Sequence, residues 1–591
     1  MNSEWSLDVF YKGVSDPRLD ADMAKLEEMA ETYKQMITDL PQVKSGEQPD
    51  SGELIRILKE VVLVKEELTV LSRKLGGYFS LRRSTDSSDS EGSRYSTRIR
   101  AISAGLSTYH VAFDKFAGSI ENLETLLQQD DVLKEYTFYF SEIKDSVSHL
   151  LSDEAEGVIA KMNISGGSTW SELVGYLQSR VKVDYKGEII TLPAVRGLAA
   201  DEDPAVRKAA YEAEIRSYDQ IKDPIAFALN AIKTQVNTTS ELHGYADPME
   251  LTLKDSRMKR ETLDALLQAI QDYLPRFRSY LSHKAKLLGH ENGLPWYDIL
   301  APMGEASSRK FTIEEAREYL LEQFSPFAED IASMIDTAFE DNWIDFYPRN
   351  GKRGGAFCAN IPFAGQSRIL TNFTGEFGDV VTLAHELGHA YHGTQIQDHR
   401  PLNWNYSMPV AETASNFNEL VVMNEAISKA KGQEKIRLVE SQIQDCTQII
   451  VDILSRYLFE DAVFHQSKER FLYADDLAQL MLDAQKQAFG EGLDEKVLHP
   501  YMWCCKSHYY SAGRSYYNFP YAFGGLFSRG IYARYLEEGK SFLPRYREML
   551  KATTVASCED VAKIAGIDLT DVGFWRSSLQ VIDDNIRIFM A

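Results

Sequence analysis

The sequence predicts a mainly α-helical fold with one small β-sheet beside a central helix. Apolar residues recur at helical spacing through most of residues 16–165 and again from about residue 410 to the end. The alternation typical of strands is confined to 181–192 and to two short stretches between 355 and 373. Long helical runs with so little alternation favour a helical scaffold.

Length and charge set the first limits on function. The chain has 591 residues, of which 44% are hydrophobic, so it can bury a large core and form two or more domains or lobes. Its formal net charge is -24 and its pI is near 5.0, which argues against nucleic acid and anionic membranes as main partners. No stretch approaches 18 consecutive apolar residues, so no transmembrane helix is expected.

The N-terminus and the cysteines predict a cytoplasmic location. Residues 1–8 lack the basic start and the apolar run of a signal peptide. The five cysteines are odd in number and scattered, and Cys504 and Cys505 are adjacent, which is poor geometry for a disulfide between them. Free thiols of this kind are typical of a reducing compartment.

The first 165 residues are predicted to be almost wholly helical. Amphipathic runs open at Asp20 and span Leu54 to Leu75, with a turn over 46–52 between them. Residues 80–96 are polar and fit either a loop or a helix on solvent.

Two alternating stretches predict the β-structure. Residues 181–192 alternate about Lys186-Gly187, which favours a small hairpin, and Asp203-Pro204 then opens another helix. A second pair of strands is expected over 355–361 and 367–373. It directly precedes a helix that we expect to begin at an Asp379 N-cap.

That helix carries the most informative motif of the chain, His-Glu-x-x-His at His385, Glu386 and His389. Residues four apart lie on one helical face, where two imidazoles can bind one Zn²⁺. Glu386 lies about 100° around the helix, where it can act on a metal-bound water without binding the metal. Zinc lowers the pKa of such a water, and the glutamate then takes its proton as the water attacks a peptide carbonyl.

A catalytic zinc site needs a third protein ligand, and Glu412 is the best candidate. It lies 23 residues beyond His389 in a predicted helix after Met408-Pro409, and the alternative is a solvated carboxylate. The pattern His-Glu-x-x-His-x-x-Gly-x-x-His does not fit, because positions 392 and 395 are His and Gln.

Two further residues near this motif, Glu419 and His392, each have two possible roles. Glu419 lies seven residues after Glu412, on the same helical face, and either orients a histidine ligand or forms a surface salt bridge. A fourth protein ligand would close the water position, so His392 is better explained as a packed core histidine than as a ligand.

Residues 508–521 form an aromatic segment near the C-terminus. The segment contains His508 and five tyrosines, loosened by Ala512-Gly513. Tyrosine hydroxyls can donate to a developing oxyanion and their rings can line a peptide channel. An aromatic core with satisfied hydroxyls explains the same composition equally well.

Residues 385–392, 411–415 and 517–524 together resemble the oligoendopeptidase F branch of the thimet-oligopeptidase-like zinc metallopeptidases. The resemblance runs from about residue 110 to the end. It implies a two-lobed helical ellipsoid with a deep central channel and zinc at its floor. The predicted domains are an N-terminal helical region (1–110), an oligoendopeptidase-type helical domain with the small hairpin (111–200) and a catalytic metallopeptidase domain (201–591).

The resemblance also assigns site residues. It implies one Zn²⁺ per chain, held by His385, His389 and Glu412, with Glu386 as the general base. The family's C-terminal histidine falls on His508, and its oxyanion tyrosine falls on Tyr516 or Tyr517. A second family tyrosine falls on Phe519, which would leave one hydroxyl fewer for the substrate.

The function that follows is a zinc endopeptidase that hydrolyses internal bonds of short oligopeptides, because folded proteins cannot enter such a channel. By the same resemblance, the strand around 356–361 pairs with an extended substrate. A dipeptidyl carboxypeptidase on the same scaffold is the alternative, although it needs a cationic group to hold a free carboxylate. A helical binding protein with an inactive relic of the site is disfavoured, because every residue of the metal site is present. The sequence leaves the oligomeric state open.

Overall fold

Helices dominate the computed structural model, which describes residues 2–41, 48–304 and 309–591. The helices of the N-terminal third are α1 (Pro17–Thr38), α2 (Ser51–Thr85), α3 (Ser90–Ala104), α4 (Ser107–Gly118), α5 (Leu123–Leu127), α6 (Asp131–Glu135), α7 (Thr137–Val147), α8 (Asp153–Asn163), α9 (Thr169–Arg180) and α10 (Leu192–Gly197). The next helices are α11 (Pro204–Ser217), α12 (Lys222–Leu242), α13 (Pro248–Asp255), α14 (Arg260–Leu287), α15 (Ile313–Phe327) and α16 (Glu329–Glu340). The C-terminal helices are α17 (Phe377–Ile396), α18 (Met408–Ala411), α19 (Thr413–Lys429), α20 (Gly432–Thr447), α21 (Ile453–Gln466), α22 (Ala474–Phe489), α23 (Met502–Cys505), α24 (Phe519–Glu538), α25 (Leu543–Ala552), α26 (Cys558–Ile564) and α27 (Val572–Met590). The predicted mainly helical fold is confirmed.

The described strands form two small sheets. Strands β1 (Lys182–Tyr185) and β2 (Glu188–Thr191) make the predicted antiparallel hairpin, in which Lys186 and Gly187 both take positive φ. Strands β3 (Ile344–Asp345), β4 (Phe357–Ile361) and β5 (Gln366–Leu370) form a sheet of order β3-β5-β4. β4 and β5 are the predicted pair, and β3 joins β5 in parallel. β4 is therefore an edge strand.

Two hydrophobic cores lie on either side of this second sheet. One contains buried side chains from Trp5 to Ile143, and the other contains those from Val174 to Phe589. Ile361 and Leu370 join the first core, whereas Ile369 joins the second. The cores thus divide between residues 143 and 174. The domain boundaries expected from the sequence, and the two lobes with a central channel, stay predictions.

The N-terminal region differs in detail from the expectation. Gly46 and Glu47 of the predicted turn lie outside the described residues, while Ser51 and Gly52 already belong to α2, whose N-cap is Asp50. The polar stretch 80–96 is neither one loop nor one helix. α2 continues to Thr85, and α3 starts after a break of four residues. No helix of the described residues is both long and apolar enough to span a membrane.

α17 begins earlier than the sequence suggested. Its N-cap is Glu376, and Asp379 is the third helical residue, in a reciprocal capping box with Glu376. The predicted N-cap at Asp379 is therefore wrong. The carboxylate still satisfies backbone donors, because Asp379 Oδ2 accepts from the N–H of Thr374 at 2.7 Å and of Glu376 at 3.1 Å.

α17 packs closely against α19, and Gly388 permits this contact. A Cβ atom at position 388 would lie 2.5 Å from the Ala414 carbonyl oxygen and 2.5 Å from Ser415 Cα. Both of these are backbone atoms, which cannot rotate away. Asn418 Nδ2 adds a hydrogen bond to the Ala384 carbonyl oxygen across the same interface, at 3.2 Å. The glycine of the motif therefore sets the distance between the two helices.

We expect Gly388→Ala to destabilise the fold by roughly 1–3 kcal/mol, because an added methyl group must separate two packed backbones. The thermal unfolding midpoint of the purified protein measures this loss. Gly378→Ala is the matched control on the same helix, since a Cβ atom there has nothing within 4 Å. Equal midpoints for the two variants would contradict the proposed role of Gly388.

Candidate metal centre and active site

Three potential ligands converge where α17 meets the start of α19. One nitrogen from each of His385 and His389 and one oxygen from Glu412 all lie within 4.8 Å of one another. Glu412 Oε2 is 3.4 Å from the Nε2 atom of each histidine. The structure therefore brings the three sequence-predicted ligands together.

The backbone around Glu412 explains how a carboxylate reaches this point. Pro409 lies in the first turn of the short helix α18, and Glu412 interrupts the helix with φ -88° and ψ 7° before α19 starts. Glu412 is thus the N-cap residue between two helices and not a residue within one continuous helix, as the sequence suggested. Ser415 donates a hydrogen bond to Glu412 Oε2 at 2.8 Å.

Glu419 contacts one of the histidines. Its Oε1 atom lies 2.7 Å from Nδ1 of His385, which leaves Nε2 of that ring facing Glu412. Burial would lower the pKa of His385, but the hydrogen bond with Glu419 and the nearby carboxylates raise it to about 9. Of the two roles considered for Glu419, this contact fits the orienting one.

Glu386 lies beside the three ligands and is 6% exposed. Its Oε2 atom is buried and has no hydrogen-bond partner among the described residues. Burial raises the pKa of its carboxyl, against the lowering effect of the two histidines. A buried carboxylate oxygen without a partner costs free energy, so its retention at this position suits a group that acts on a bound molecule.

His392 is a core residue, as the sequence favoured. It is fully buried, its ring stacks on Tyr406 at 4.3 Å, and its Nε2 lies 2.8 Å from the hydroxyl of Thr553. Burial lowers its pKa to about 3. The ring therefore stays neutral and belongs to the packing behind the site.

The aromatic segment divides into two parts. The His508 ring stacks on Tyr517 with centroids 5.3 Å apart, and Tyr521 meets both rings edge-on at 6.0 and 5.9 Å. All three side chains are half-buried. Burial, followed by the Tyr517 hydroxyl and the charge of Glu412, raises the pKa of Tyr521 to about 12. These three rings form a polar aromatic group within electrostatic reach of the metal ligands.

The side chain of Tyr516 contacts α21 and not the three stacked rings. Its hydroxyl donates to Asp461 Oδ1 at 2.9 Å, and its backbone N–H donates to Glu460 Oε1 at 3.1 Å. Its φ is +50°, a strained value for a tyrosine, and these contacts with α21 hold it there. On the other side of Tyr517, Asn518 Oδ1 lies 3.5 Å from Arg456 Nη1, also on α21.

Sequence reasoning included Tyr521 in the aromatic segment without singling it out, and it gave no sign of Arg456. Tyr521 lies four residues after Tyr517 at the start of α24, so the spacing was visible, but nothing in the sequence placed it beside His508. Arg456 lies 52 residues before His508 on another helix and had no sequence signal. Burial, followed by the cations of Arg456 and Lys506, lowers the pKa of His508 and so favours a neutral imidazole. Phe519 is 1% exposed and belongs to the core.

Fold and site together are those of a helical metallopeptidase. The chain belongs to peptidase family M3, whose family model matches residues 198–581. A second family model, Oligopeptidase F, matches residues 118–180. The resemblance expected from the sequence is thereby confirmed, and the protein is a metalloendopeptidase.

Named relatives agree with this assignment. Oligopeptidase PepF of Bacillus subtilis is 25% identical over 562 residues, which cover 91% of this chain and 81% of that protein. Group B oligopeptidase PepB of Streptococcus agalactiae is 23% identical, with 94% of each chain covered.

Solved structures support the fold. A candidate peptidase from Chlamydophila abortus superposes with a TM-score of 0.84 at 19% identity and covers 100% of this chain and 98% of that one. Oligoendopeptidase-F from Enterococcus faecium superposes with a TM-score of 0.71 at 18% identity, covering 97% and 98%.

We expect Glu419→Ala to weaken zinc binding roughly 10-fold to 100-fold, because His385 loses the contact that fixes its ring. Competition with a chromophoric chelator measures the affinity. Glu419→Gln should weaken it less, since an amide oxygen can still accept a hydrogen bond. Glu425→Ala is the control on the same helix, where the carboxylate pairs with Lys429 at 3.1 Å. Unchanged affinity in Glu419→Ala would contradict the orienting role.

Proposed function

We propose that this protein is a zinc-dependent endopeptidase that hydrolyses internal bonds of short oligopeptides in the cytoplasm. The observation that carries the proposal is the convergence of His385, His389 and Glu412, with Glu386 beside them. Membership of peptidase family M3 supports it, as do the oligopeptidase names of the relatives. The described cysteines are all free, in keeping with a reducing compartment.

The three ligands fit a zinc ion. Two ligands of a tetrahedral zinc, each about 2.0–2.1 Å from the metal, lie about 3.3 Å apart. Glu412 Oε2 is 3.4 Å from both imidazole nitrogens. Two histidines and one glutamate are also the donor set of catalytic zinc sites, which leave one position for water or substrate. When bound, zinc supplies a Lewis acid that polarises a carbonyl and makes water more acidic.

Glu386 acts as the general base. A carboxylate accepts the proton of the attacking water and can then deliver it to the nitrogen of the leaving amine. Its buried Oε2 atom has no other partner among the described residues, so this oxygen is available for the transfer. The raised pKa suits the second step, in which the protonated carboxyl acts as an acid.

Tyr517 and His508 are the proposed donors to the tetrahedral oxyanion. Both belong to the half-buried aromatic group. The lowered pKa of His508 favours a neutral imidazole, which can still donate a hydrogen bond to the oxyanion through its N–H. Tyr516 is the weaker of the two tyrosine candidates, because its hydroxyl already donates to Asp461. Tyr521 supplies the additional hydroxyl that Phe519 lacks.

Strand β4 offers a place for the peptide backbone. It lies at the edge of its sheet, next to α17, so one row of its backbone groups is left unpaired by the sheet. A substrate added as a further strand would bind through its main chain, which tolerates many side chains. The relatives are named as oligopeptidases, which does not favour the dipeptidyl carboxypeptidase alternative, and the acidity of the chain argues against nucleic acid as a partner.

We expect Glu386→Gln to lower kcat about 10²-fold to 10⁴-fold on a quenched peptide blocked at both ends, because glutamine cannot accept the proton. Its zinc content should match that of the wild type, which separates lost chemistry from lost metal. Mass spectrometry of the products checks that an internal bond is cleaved, and chelator treatment of the wild type should abolish turnover. A fully active Glu386→Gln protein would overturn the proposal.

We expect Tyr517→Phe to lower kcat roughly 100-fold with a smaller change in KM, because one donor to the oxyanion is lost. Tyr516→Phe should have a smaller effect on kcat and cost about 1 kcal/mol of stability, since it removes the hydrogen bond to Asp461. Tyr510→Phe is the control, because its hydroxyl donates to the Trp503 carbonyl oxygen at 2.6 Å. The reverse order of Tyr516 and Tyr517 would show that the donor is misassigned.

A further inference from the structure

Lys506 is a half-buried cation without a partner. It lies between α23 and His508, two residues before the proposed oxyanion donor. Within residues 2–41, 48–304 and 309–591, no hydrogen bond or ion pair reaches its ammonium group. Burial, followed by the cation of Arg456, lowers the pKa of Lys506.

Three more deeply buried lysines of this protein each have a partner. Lys233 pairs with Glu460 at 2.6 Å, Lys284 pairs with Glu440 at 2.6 Å, and Lys65 donates to the Tyr139 hydroxyl at 2.7 Å. A charge removed from bulk water is stabilised in this way by an opposite charge or a hydrogen bond. Lys506 is less enclosed than these three lysines, and it has no such partner among the described residues.

Lys506 lines a cavity of about 100 Å³, and the charges around this cavity do not balance. Arg196 pairs with Glu214 at 2.6 Å and Arg207 pairs with Asp298 at 2.8 Å. Each carboxylate is thus committed to a guanidinium.

Asp452, which also lines the cavity, is committed in the same way to Arg456, one turn further along the helix. The charge of Asp452 also acts on Lys506, but three ion pairs and one further ammonium still leave one excess positive charge, which favours the binding of an anion.

A second polar group of the cavity can accept a hydrogen bond, because an imidazole that donates through Nε2 leaves Nδ1 as an acceptor. His499 is 1% exposed and lines the same cavity. Its Nε2 lies 3.3 Å from Glu214, but its Nδ1 is buried without a hydrogen-bond partner among the described residues. A volume of about 100 Å³ holds about three waters, or a carboxylate group with its methylene.

Lys506 is the lining residue of the cavity that lies nearest in the chain to the proposed oxyanion donor His508. Gln448 and Asp452, which line it, bound the π-helical turn between α20 and α21, and α21 carries the contacts on both sides of Tyr517. Lys506 is close enough to His508 for its charge to act on that imidazole. A peptide group bound at His508 would therefore also lie within reach of the charge of Lys506.

We propose that Lys506 and its cavity form a subsite for a carboxylate of the peptide substrate, supplied either by an acidic side chain or by the free C-terminus. The subsite sets a preference among peptides. This inference rests on the proposed peptidase function, and it adds a specificity-determining residue to it.

The test compares peptides that differ by one carboxylate. In a blocked quenched peptide whose cleaved bond is known, Glu is exchanged for Gln at each of the three positions on either side of that bond. A separate pair compares a free with an amidated C-terminus. We expect one carboxylate to raise kcat/KM roughly 10-fold to 100-fold over its neutral counterpart, as a charged hydrogen bond would. Lys506→Met should bring this ratio close to one, and Lys506→Arg should keep part of it.

The ratio between two peptides does not depend on how much of a variant is folded. Lys222→Met is the matched control, because Lys222 lies near the same segment, over the Tyr501 ring, but already pairs with Asp219 at 2.7 Å. It should keep the wild-type ratio. A wild-type ratio near one for every pair, or a ratio that Lys506→Met leaves unchanged, would overturn the inference.

Binding separates this inference from the proposed function. The affinity of the same labelled peptides for Glu386→Gln protein, with and without Lys506→Met, is measured by fluorescence anisotropy. Loss of the carboxylate preference in the double variant supports the subsite even if the wild type cleaves none of the peptides, an outcome that would overturn the peptidase proposal alone. Equal affinities for acidic and neutral peptides would overturn the subsite.

Discussion

The contact between α17 and α19 is the constraint on which the centre depends. Gly388 lets the two backbones meet, and this brings Glu412 to His385 and His389 and brings Glu419 to the far side of the His385 ring. Glu412 caps α19 and Glu419 lies within it, so the positions of both carboxylates depend on the distance between α17 and α19. A glycine inside a helix weakens the helix by itself, and here the close packing that it permits compensates for that cost.

The aromatic group depends in turn on α21 and α24. Gly524 of α24 lies against Glu412, because a Cβ atom there would be 3.0 Å from Glu412 Cβ. This brings the start of α24, and with it Tyr517 and Tyr521, toward the metal ligands. Glu460 and Arg456 of α21 hold the residues on either side of Tyr517. Glu460 is itself fixed by Lys233, with which it forms a fully buried ion pair.

Buried charge is common in this part of the molecule, and most of it is neutralised in pairs. Pairs of this type contribute little net stability, because the desolvation of both ions offsets their attraction, but they fix side chains in one arrangement. Near the active site they fix His499 and Glu214, Arg456 and Asp452, and the backbone of Tyr516. Lys506 differs from these neighbours, because it has no ion-pair partner among the described residues.

The sequence alone determined the helical fold and both strand pairs, and it predicted the three residues that converge at the candidate metal centre. These follow from local spacing: His385 and His389 share a helical face because they are four residues apart, and alternation fixes the strands of a short hairpin. Glu412 could be predicted from the sequence because zinc hydrolases need a third ligand and few carboxylates follow at a suitable distance. The interruption of the helix at Glu412 and the exact start of α17 could not be predicted. Helix caps depend on backbone angles that several different sequences can adopt.

Only the tertiary structure showed which groups the aromatic residues contact. Tyr516 and Tyr517 are neighbours with the same side chain, and they differ because Asp461 accepts a hydrogen bond from one hydroxyl while the other ring stacks on His508. Arg456 and Asn518 likewise meet although they lie 62 residues apart in the chain. Spacing along one helix can be calculated from the sequence, but contacts between helices depend on how whole surfaces pack, which no local pattern contains.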